Sequence, residues 1–535
     1  MSTGTSKRSP GAAGRSPSGF NRRIVLWSIT SALAGFLFGF DTVVISGAEQ
    51  KIQALWGLSA GVHGFAIASA LYGTVIGSLF GAWPTDRFGR RRTLLGIGVL
   101  YIASAVGCAF ANGVGMFIAA RTIGGIGIGI STVAAPLYIS EIAPAAYRGR
   151  LAGMFQFNIV FGILMAFASN AMLAGIGENA WRWMLGVAAL PSLVYTLMCV
   201  GIPESPRWLI GHKGDRVAGV SVLRLIEPEA TVGQLEADAD AIAAASSERV
   251  TSGRFWTWRL RVPITLAFLI AFFNQLSGIN AILYFAPRIF AMTGLGAHAA
   301  LLQSVGIGIT NLVFTFVGLW LIDRLGRRTL LFIGSFGYIA SLGLTAWAFA
   351  TQHYGIVPAC IFAFIAAHAI GQGAVIWVFI SEIFPNRHRA EGQTLGSSTH
   401  WVFAALLTTF FPAMVSAFSP AYVFAFLCRH DGAAAGMGRL RGPGDQGDSA
   451  GADAETSRHR IAPTHALPDC RHRRSPLGSS PQRAAARRGA GELRLPRQRP
   501  RRTRVSGDPG RQGRSRNVNP RALRRGRHRP GHDAG

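Results

Sequence analysis

The chain predicts an all-α polytopic membrane protein made of two parallel six-helix repeats. Three observations carry this. Apolar runs of about 20 residues, the length that crosses a bilayer as a helix, recur along the sequence. Basic residues concentrate in every second loop between those runs. Two loop sequences from the first half return, in the same order and after corresponding runs, in the second.

Half of the 535 residues are hydrophobic, and the apolar positions are continuous rather than alternating. A transmembrane β-barrel needs alternation, so helices are the spanning element. Residues 1–23, rich in Ser, Gly and Pro, are expected to be a disordered cytoplasmic N-terminus, with no cleavable leader pattern. Runs at 24–46, 62–84, 93–112, 115–138, 151–173 and 183–202 make an N-terminal bundle over 24–202. The charged stretch 203–260 reads as a small helical insert. Runs at 261–285, 299–322, 329–350, 355–380 and 396–417 begin a C-terminal bundle over 261–428. A twelfth run starts near 420 and stops at Cys428, which predicts a truncated last helix.

The net charge of +28 is uneven: residues 429–535 contribute +16 with no lysine, and the rest contributes +12. Basic clusters at Arg22 and Arg23, Arg87 to Arg92, Arg148 and Arg150, the 203–260 insert, Arg324 to Arg328, and Arg387 and Arg389 place the N-terminus and insert in the cytoplasm. Lys51 and Glu178 are among the few charges in the opposite loops. The five cysteines show no paired spacing, which predicts neither a disulfide framework nor a metal site.

The repeat pairs "DRFGRRRTLLGIG" at 86–98 with "DRLGRRTLLFIG" at 323–334. It also pairs "YISEIAPAAYRGR" at 138–150 with "FISEIFPNRHRAEG" at 379–392. Parallel six-helix copies around a central path describe a class of secondary transporters. With "RTIGGIGIGI", "PESPRWL" at 203–209 and "NQLSGINAILYF" at 274–285, these motifs resemble the sugar porter branch of the major facilitator superfamily. The resemblance covers about residues 20–428. It implies the major facilitator fold and a proton-coupled monosaccharide importer. It further implies a monomer in the plasma (inner) membrane, with monosaccharide, protons and lipid bilayer as partners. No cofactor, metal or nucleic acid is expected. A facilitative uniporter of the same fold is the alternative, and a protein inactivated by loss of its twelfth helix is a further one.

Asp41 lies in "FLFGFDTVVIS" within the first run. A carboxylate at bilayer depth costs roughly 2.5–3.5 kcal/mol on insertion scales, so it is rarely idle, the alternative being an Asp that snorkels to the outer interface or caps a break near Gly39. Arg121, at the start of the fourth run, is its expected partner. The resemblance implies that Asp41 accepts the proton and Arg121 tunes it. Sugar hydroxyls need paired donors and acceptors, and a sugar-ring face stacks on an aromatic ring. The candidates are Gln156, Asn274, Gln275, Asn280, Asn311 and Trp377, with Phe38, all at sugar-contacting positions of the family pattern. His400 stands where some members carry glutamine, and either contacts sugar or packs. Two departures stand out: Asn274 replaces a longer glutamine, and "GQGAVIW" at 371–377 lacks all three prolines of the common "GPGPIPW". Asp86, Arg87, Arg90, Glu141, Arg148, Asp323, Arg324, Glu382 and Arg389 are expected to form a cytoplasmic gate, pairing across the halves in the outward-open state.

"GGIGIGI" at 124–130 imitates a dinucleotide loop, but no strand precedes it and it lies in a run, so close helix packing accounts for it. No GKS/GKT loop, HExxH or serine-triad context is present, and no enzyme activity is expected. From Arg429 the composition is Arg, Gly and Ala without apolar period. Family members close with a "PETKG"-like motif, absent here. Codons compatible with residues 430–454, read one base later, permit "MMVLQLVWVAFVVPETKGIPLEQMQ". The tail at 429–535 is therefore expected to be out-of-frame translation, the alternative being a genuine basic tail for anionic lipid or nucleic acid.

Overall fold

The structure, a computed structural model, describes residues 22–144, 147–248, 254–385 and 388–438. The expected disordered N-terminus up to residue 21 and the Arg-rich tail from 439 lie outside the described residues. Among the described residues there is no strand, and eleven helices are long and apolar enough to cross a membrane.

The first half runs α1 (Arg22–Val44), a short α2 (Glu49–Leu55), α3 (Ala60–Phe80), a short α4 (Ala82–Phe88), α5 (Arg90–Ala109), α6 (Val114–Ile142) and α7 (Arg148–Leu173). Its sixth span is broken into α8 (Ala180–Gly186) and α9 (Ala189–Val200). The insert holds α10 (Pro206–Gly211), α11 (Arg216–Ile226) and α12 (Val232–Glu248). The second half opens with a span in three pieces, α13 (Arg261–Leu276), α14 (Ile279–Tyr284) and α15 (Ala286–Ala291). It continues through α16 (Ala297–Leu325), α17 (Arg327–Ala350), a span split into α18 (Val357–Ile370) and α19 (Gln372–Ile383), α20 (Arg389–Ala417) and α21 (Pro420–Gly438). The helical backbone of α21 thus continues past Cys428, while its apolar run ends at Cys428 as the sequence predicts. Alanines at 433–435 favour helix without supplying a span.

Within the first half α1 packs on α7 and α6 on α3 and α5; within the second, α17 packs on α18 and α21. The halves meet along α3–α20 and α7–α16. Small residues make these approaches close, since apolar helices in lipid associate through backbone contact rather than hydrophobic driving force. A Cβ on Gly73 or Gly77 of α3 would strike the carbonyl oxygens of Thr122 or Ile126 on α6. Reciprocally, a Cβ on Gly125 or Gly129 would strike those of Ala70 or Thr74. The run at 124–130 is therefore a packing seam, as its lack of a preceding strand predicts. Gly278 is left-handed, with φ 86°, and lets α13 break before α14.

Gly125→Val should lower the thermal unfolding midpoint of the detergent-solubilised protein, overpacking costing about 1–3 kcal/mol. Gly96→Val, where a Cβ meets nothing within 4 Å, should leave the midpoint in place.

Candidate functional site

Asp41 on α1 and Arg121 on α6 are both buried. Arg121 Nη1 donates to Asp41 Oδ1 at 3.0 Å and to the Asp41 carbonyl at 3.2 Å. The second carboxylate oxygen, Oδ2, is buried with no hydrogen-bond partner among the described residues, as are Arg121 Nε and Nη2. The pair is thus joined by one side-chain bond where a fork-to-fork contact would make two.

The polar groups of the second half converge where α13 breaks. Asn280 Nδ2 donates to Gln275 Oε1 at 2.6 Å, and Gln275 Nε2 donates to Asn274 Oδ1 at 2.8 Å. Asn274 Nδ2 donates to Gln372 Oε1 at 3.0 Å. The same Gln275 nitrogen lies 3.0 Å from His400 Nδ1. Trp377 lies beside the His400 ring, centroids 5.1 Å apart. Trp401 stands edge-on to His400 on the other side, at 4.7 Å, and meets Phe38 of α1 at 5.5 Å. The structure therefore gathers Asn274, Gln275, Asn280, His400, Trp377 and Phe38. Gln156 on α7 is half-buried and Asn311 on α16 is buried; among the described residues no hydrogen bond ties either to this network. Gln372 is absent from the sequence-derived set, its signal having been only that it replaces a proline.

At the end carrying the insert, Arg90 Nε and Nη2 donate to both oxygens of Glu141 at 2.9 and 3.0 Å. Arg90 Nη1 also donates to Asp86 at 3.2 Å. The repeat copies this contact: Arg327 Nη2 donates to Glu382 at 3.2 Å, and Gly89 and Gly326, with φ 90° and 78°, turn the chain before each arginine. Arg327, the repeat's counterpart of Arg90, is absent from the expected gate residues; Arg324, the counterpart of Arg87, lies over the Trp320 ring at 3.9 Å. Each of these ion pairs stays within one half. Arg87 and Arg389 are exposed, and the side chains of Arg148 and Asp323 lie outside the described ones. Glu204, from "PESPRWL", accepts the backbone N–H groups of Arg90, Arg91 and Ser205. It thereby satisfies orphan donors at the α5 N-terminus. Burial pushes its carboxyl above the usual range, against those hydrogen bonds.

At the opposite end an ion pair joins the halves. Arg288 Nε and Nη2 donate to the two oxygens of Glu49 at 3.0 and 2.7 Å. Glu49 and His63 are fully buried, 2.8 Å apart. Gln53 also accepts from Arg288, at 2.6 Å, and Tyr72 meets Thr409 at 3.0 Å beside the same seam. Lys51 and Glu178, singled out in the sequence, pair with each other here at 2.6 Å.

Two pseudo-equivalent bundles, each with buried polar groups, joined by an ion pair at one end and carrying ion pairs confined to each half at the other, have the architecture of a secondary transporter. The Sugar (and other) transporter family matches residues 27–429. The D-xylose-proton symporter of Escherichia coli (strain K12) is 34% identical over 422 residues, covering 72% of this chain and 85% of that protein. The arabinose-proton symporter of Bacillus subtilis (strain 168) is 33% identical, covering 71% and 83%. The partially occluded inward-open conformation of the xylose transporter XylE from E. coli superposes with a TM-score of 0.71 at 29% identity, covering 80% of this chain and 99% of that one. The chain belongs to the sugar porter family of the major facilitator superfamily, as its motifs imply, and is a transporter, not an enzyme.

Removing one member of a buried ion pair costs about 3–5 kcal/mol, because the other charge is left unpaired. Arg288→Met should lower the unfolding midpoint and raise thiol labelling of a cysteine placed at Gln53. Adding Glu49→Gln should restore much of the midpoint, and no restoration would mean that the pair does not couple the halves.

Proposed function

We propose that this protein imports a monosaccharide together with protons by alternating access. The observation that carries this reading is the singly bonded Asp41–Arg121 pair. Its free Oδ2 is a buried carboxylate oxygen able to take a proton. Protonation neutralises Asp41 and weakens its hold on Arg121, loosening α1 from α6. Phe38 sits three residues earlier on α1, close to one helical turn from Asp41, so the same movement reaches Trp401 and His400 beside the amides. Protonated Asp41 then favours sugar binding and rocking to the inward-open state, and deprotonation resets the carrier. Relatives named for xylose, arabinose and glucose support a hexose or pentose substrate. The charges at the insert end part when the carrier opens inward, which agrees with pairs confined to each half.

Asp41→Asn should abolish accumulation above the external sugar concentration while leaving sugar–sugar counterflow. Wild-type accumulation should collapse with an uncoupler. Wild-type uptake that equilibrates and ignores the uncoupler would favour the uniporter instead.

We also infer that residues from Arg429 onward are the twelfth span read out of frame. Asp431 on α21 is 1% exposed, and neither carboxylate oxygen has a partner among the described residues. An unpaired buried carboxylate costs several kcal/mol, whereas the shifted reading puts methionine at that position. Sequencing the gene across codon 428 should reveal a one-base shift, and the repaired chain should exceed the written one in counterflow. An unbroken frame would overturn the inference.

A further inference from the structure

We propose that Gln372 is a sugar-reading residue, paired with Asn274 as one recognition unit that selects among neutral monosaccharides by their hydroxyl pattern. This rests on the monosaccharide reading above and names a residue that reading does not use.

The tenth span must break where α18 ends at Ile370 and α19 begins at Gln372. A proline at the first position of a helix is a common way to start one, because its missing N–H is an orphan there in any case. Here the break needs none. Gly371 takes φ −91° and ψ −99°, and a Cβ on it would lie 2.7 Å from Gly334 Cα on α17. The backbone is re-engaged at once on both sides: Gly371 N–H donates to Ala367 at 3.0 Å and Val375 N–H to Gly371 at 3.1 Å. Glycine contact thus makes the break, and position 372 is released from that duty.

What the position carries instead is a buried amide, 6% exposed. Its Oε1 ends a one-way relay of donors that runs from Asn280 through Gln275 and Asn274. Each amide after Asn280 has its oxygen taken by the one before it. The order fixes which way all four amides face, which a solitary amide could not do. The Gln372 nitrogen makes no hydrogen bond within the described residues, and it is not among the buried polar atoms left unpartnered. It is therefore an accessible donor at the end of the relay. Asn274 is one methylene shorter than the glutamine of the common motif, and Gln372 supplies reach from the facing helix. The two departures from the family pattern meet at a single 3.0 Å bond. Shortening one partner and lengthening the other leaves an amide pair across α13 and α19, displaced towards α19.

A double-substitution cycle tests this, read by sugar-dependent quenching of tryptophan fluorescence in the purified full chain against a panel of glucose, galactose, xylose and arabinose. Gln372→Asn keeps an amide but cannot span the distance. It should weaken binding of the preferred sugar by about tenfold, the scale of one lost hydrogen bond, and change the ranking of the panel. Gln372→Pro should do the same, and Asn274→Gln added to Gln372→Pro should recover affinity to within about threefold. Wild-type affinity and ranking in Gln372→Asn would overturn the proposal, as would a double variant no better than Gln372→Pro. If neither the written chain nor the chain with its twelfth span repaired binds any of the four sugars while remaining folded by thermal unfolding, the monosaccharide reading fails and this inference falls with it. Binding by wild type together with an unmoved Gln372→Asn overturns the inference alone.

Discussion

Asp41 and Arg121 hold α1 to α6 through the interior of the first bundle, and much of the site's arrangement follows from how incompletely they do it. A guanidinium has five N–H donors and a carboxylate about four acceptor positions, so a buried pair that exchanges one side-chain bond leaves capacity on both sides. Such capacity is costly in a medium without water. Under the proposed proton coupling, Asp41 uses that capacity by cycling between protonated and ionised forms. A bidentate pair would be more stable and would take up a proton less readily. The geometry therefore trades stability for a carboxylate that can change state.

The amides of the second half solve the opposite problem. In the proposed sugar site the ligand is neutral with many equivalent hydroxyls, so what matters is that donors and acceptors face fixed ways. Gln275 touches Asn274, Asn280 and His400 together, and none of these can flip without unpairing another. Ordering of this kind lowers the entropy that binding would otherwise cost. The aromatic contacts from Phe38 through Trp401 and His400 to Trp377 run from α1 into this network. They supply a packed path from α1 to the amides.

Much of this was legible in the sequence because spans, loops and repeats write themselves in local pattern. The eleven apolar runs, the glycine seam at 124–130 and the break at Gly278 each depend on residues within a few positions of one another. Asp41, Arg121 and the amides were visible because polar residues inside apolar runs are conspicuous. Glu49 and Arg288 were not, since each sits near a span end where charges are ordinary, and 239 positions separate them. Gln372 hid for a different reason: its meaning lies in what Asn274 lost. Arg327 was left out of the expected gate, although the spacing from Gly89 to Arg90 and from Gly326 to Arg327 carries the match.

The repeat also exposes an asymmetry between the halves. Arg90 and Glu141 are buried to 3% and 7% side-chain exposure. Over them lies the segment after the sixth span, with Glu204 on the α5 N-terminus and Trp208 Nε1 donating to the Asp86 carbonyl at 2.7 Å. Their counterparts Arg327 and Glu382 stand at 34% and 48% exposure. Exposed pairs contribute about 0–1 kcal/mol and are screened by salt, whereas a covered, bidentate pair holds its geometry. By symmetry the cover for the second half belongs after the twelfth span, the segment where the apolar pattern stops at Cys428. The first half carries a covered charge cluster at this end, whereas among the described residues the matching pair of the second half stays partly exposed.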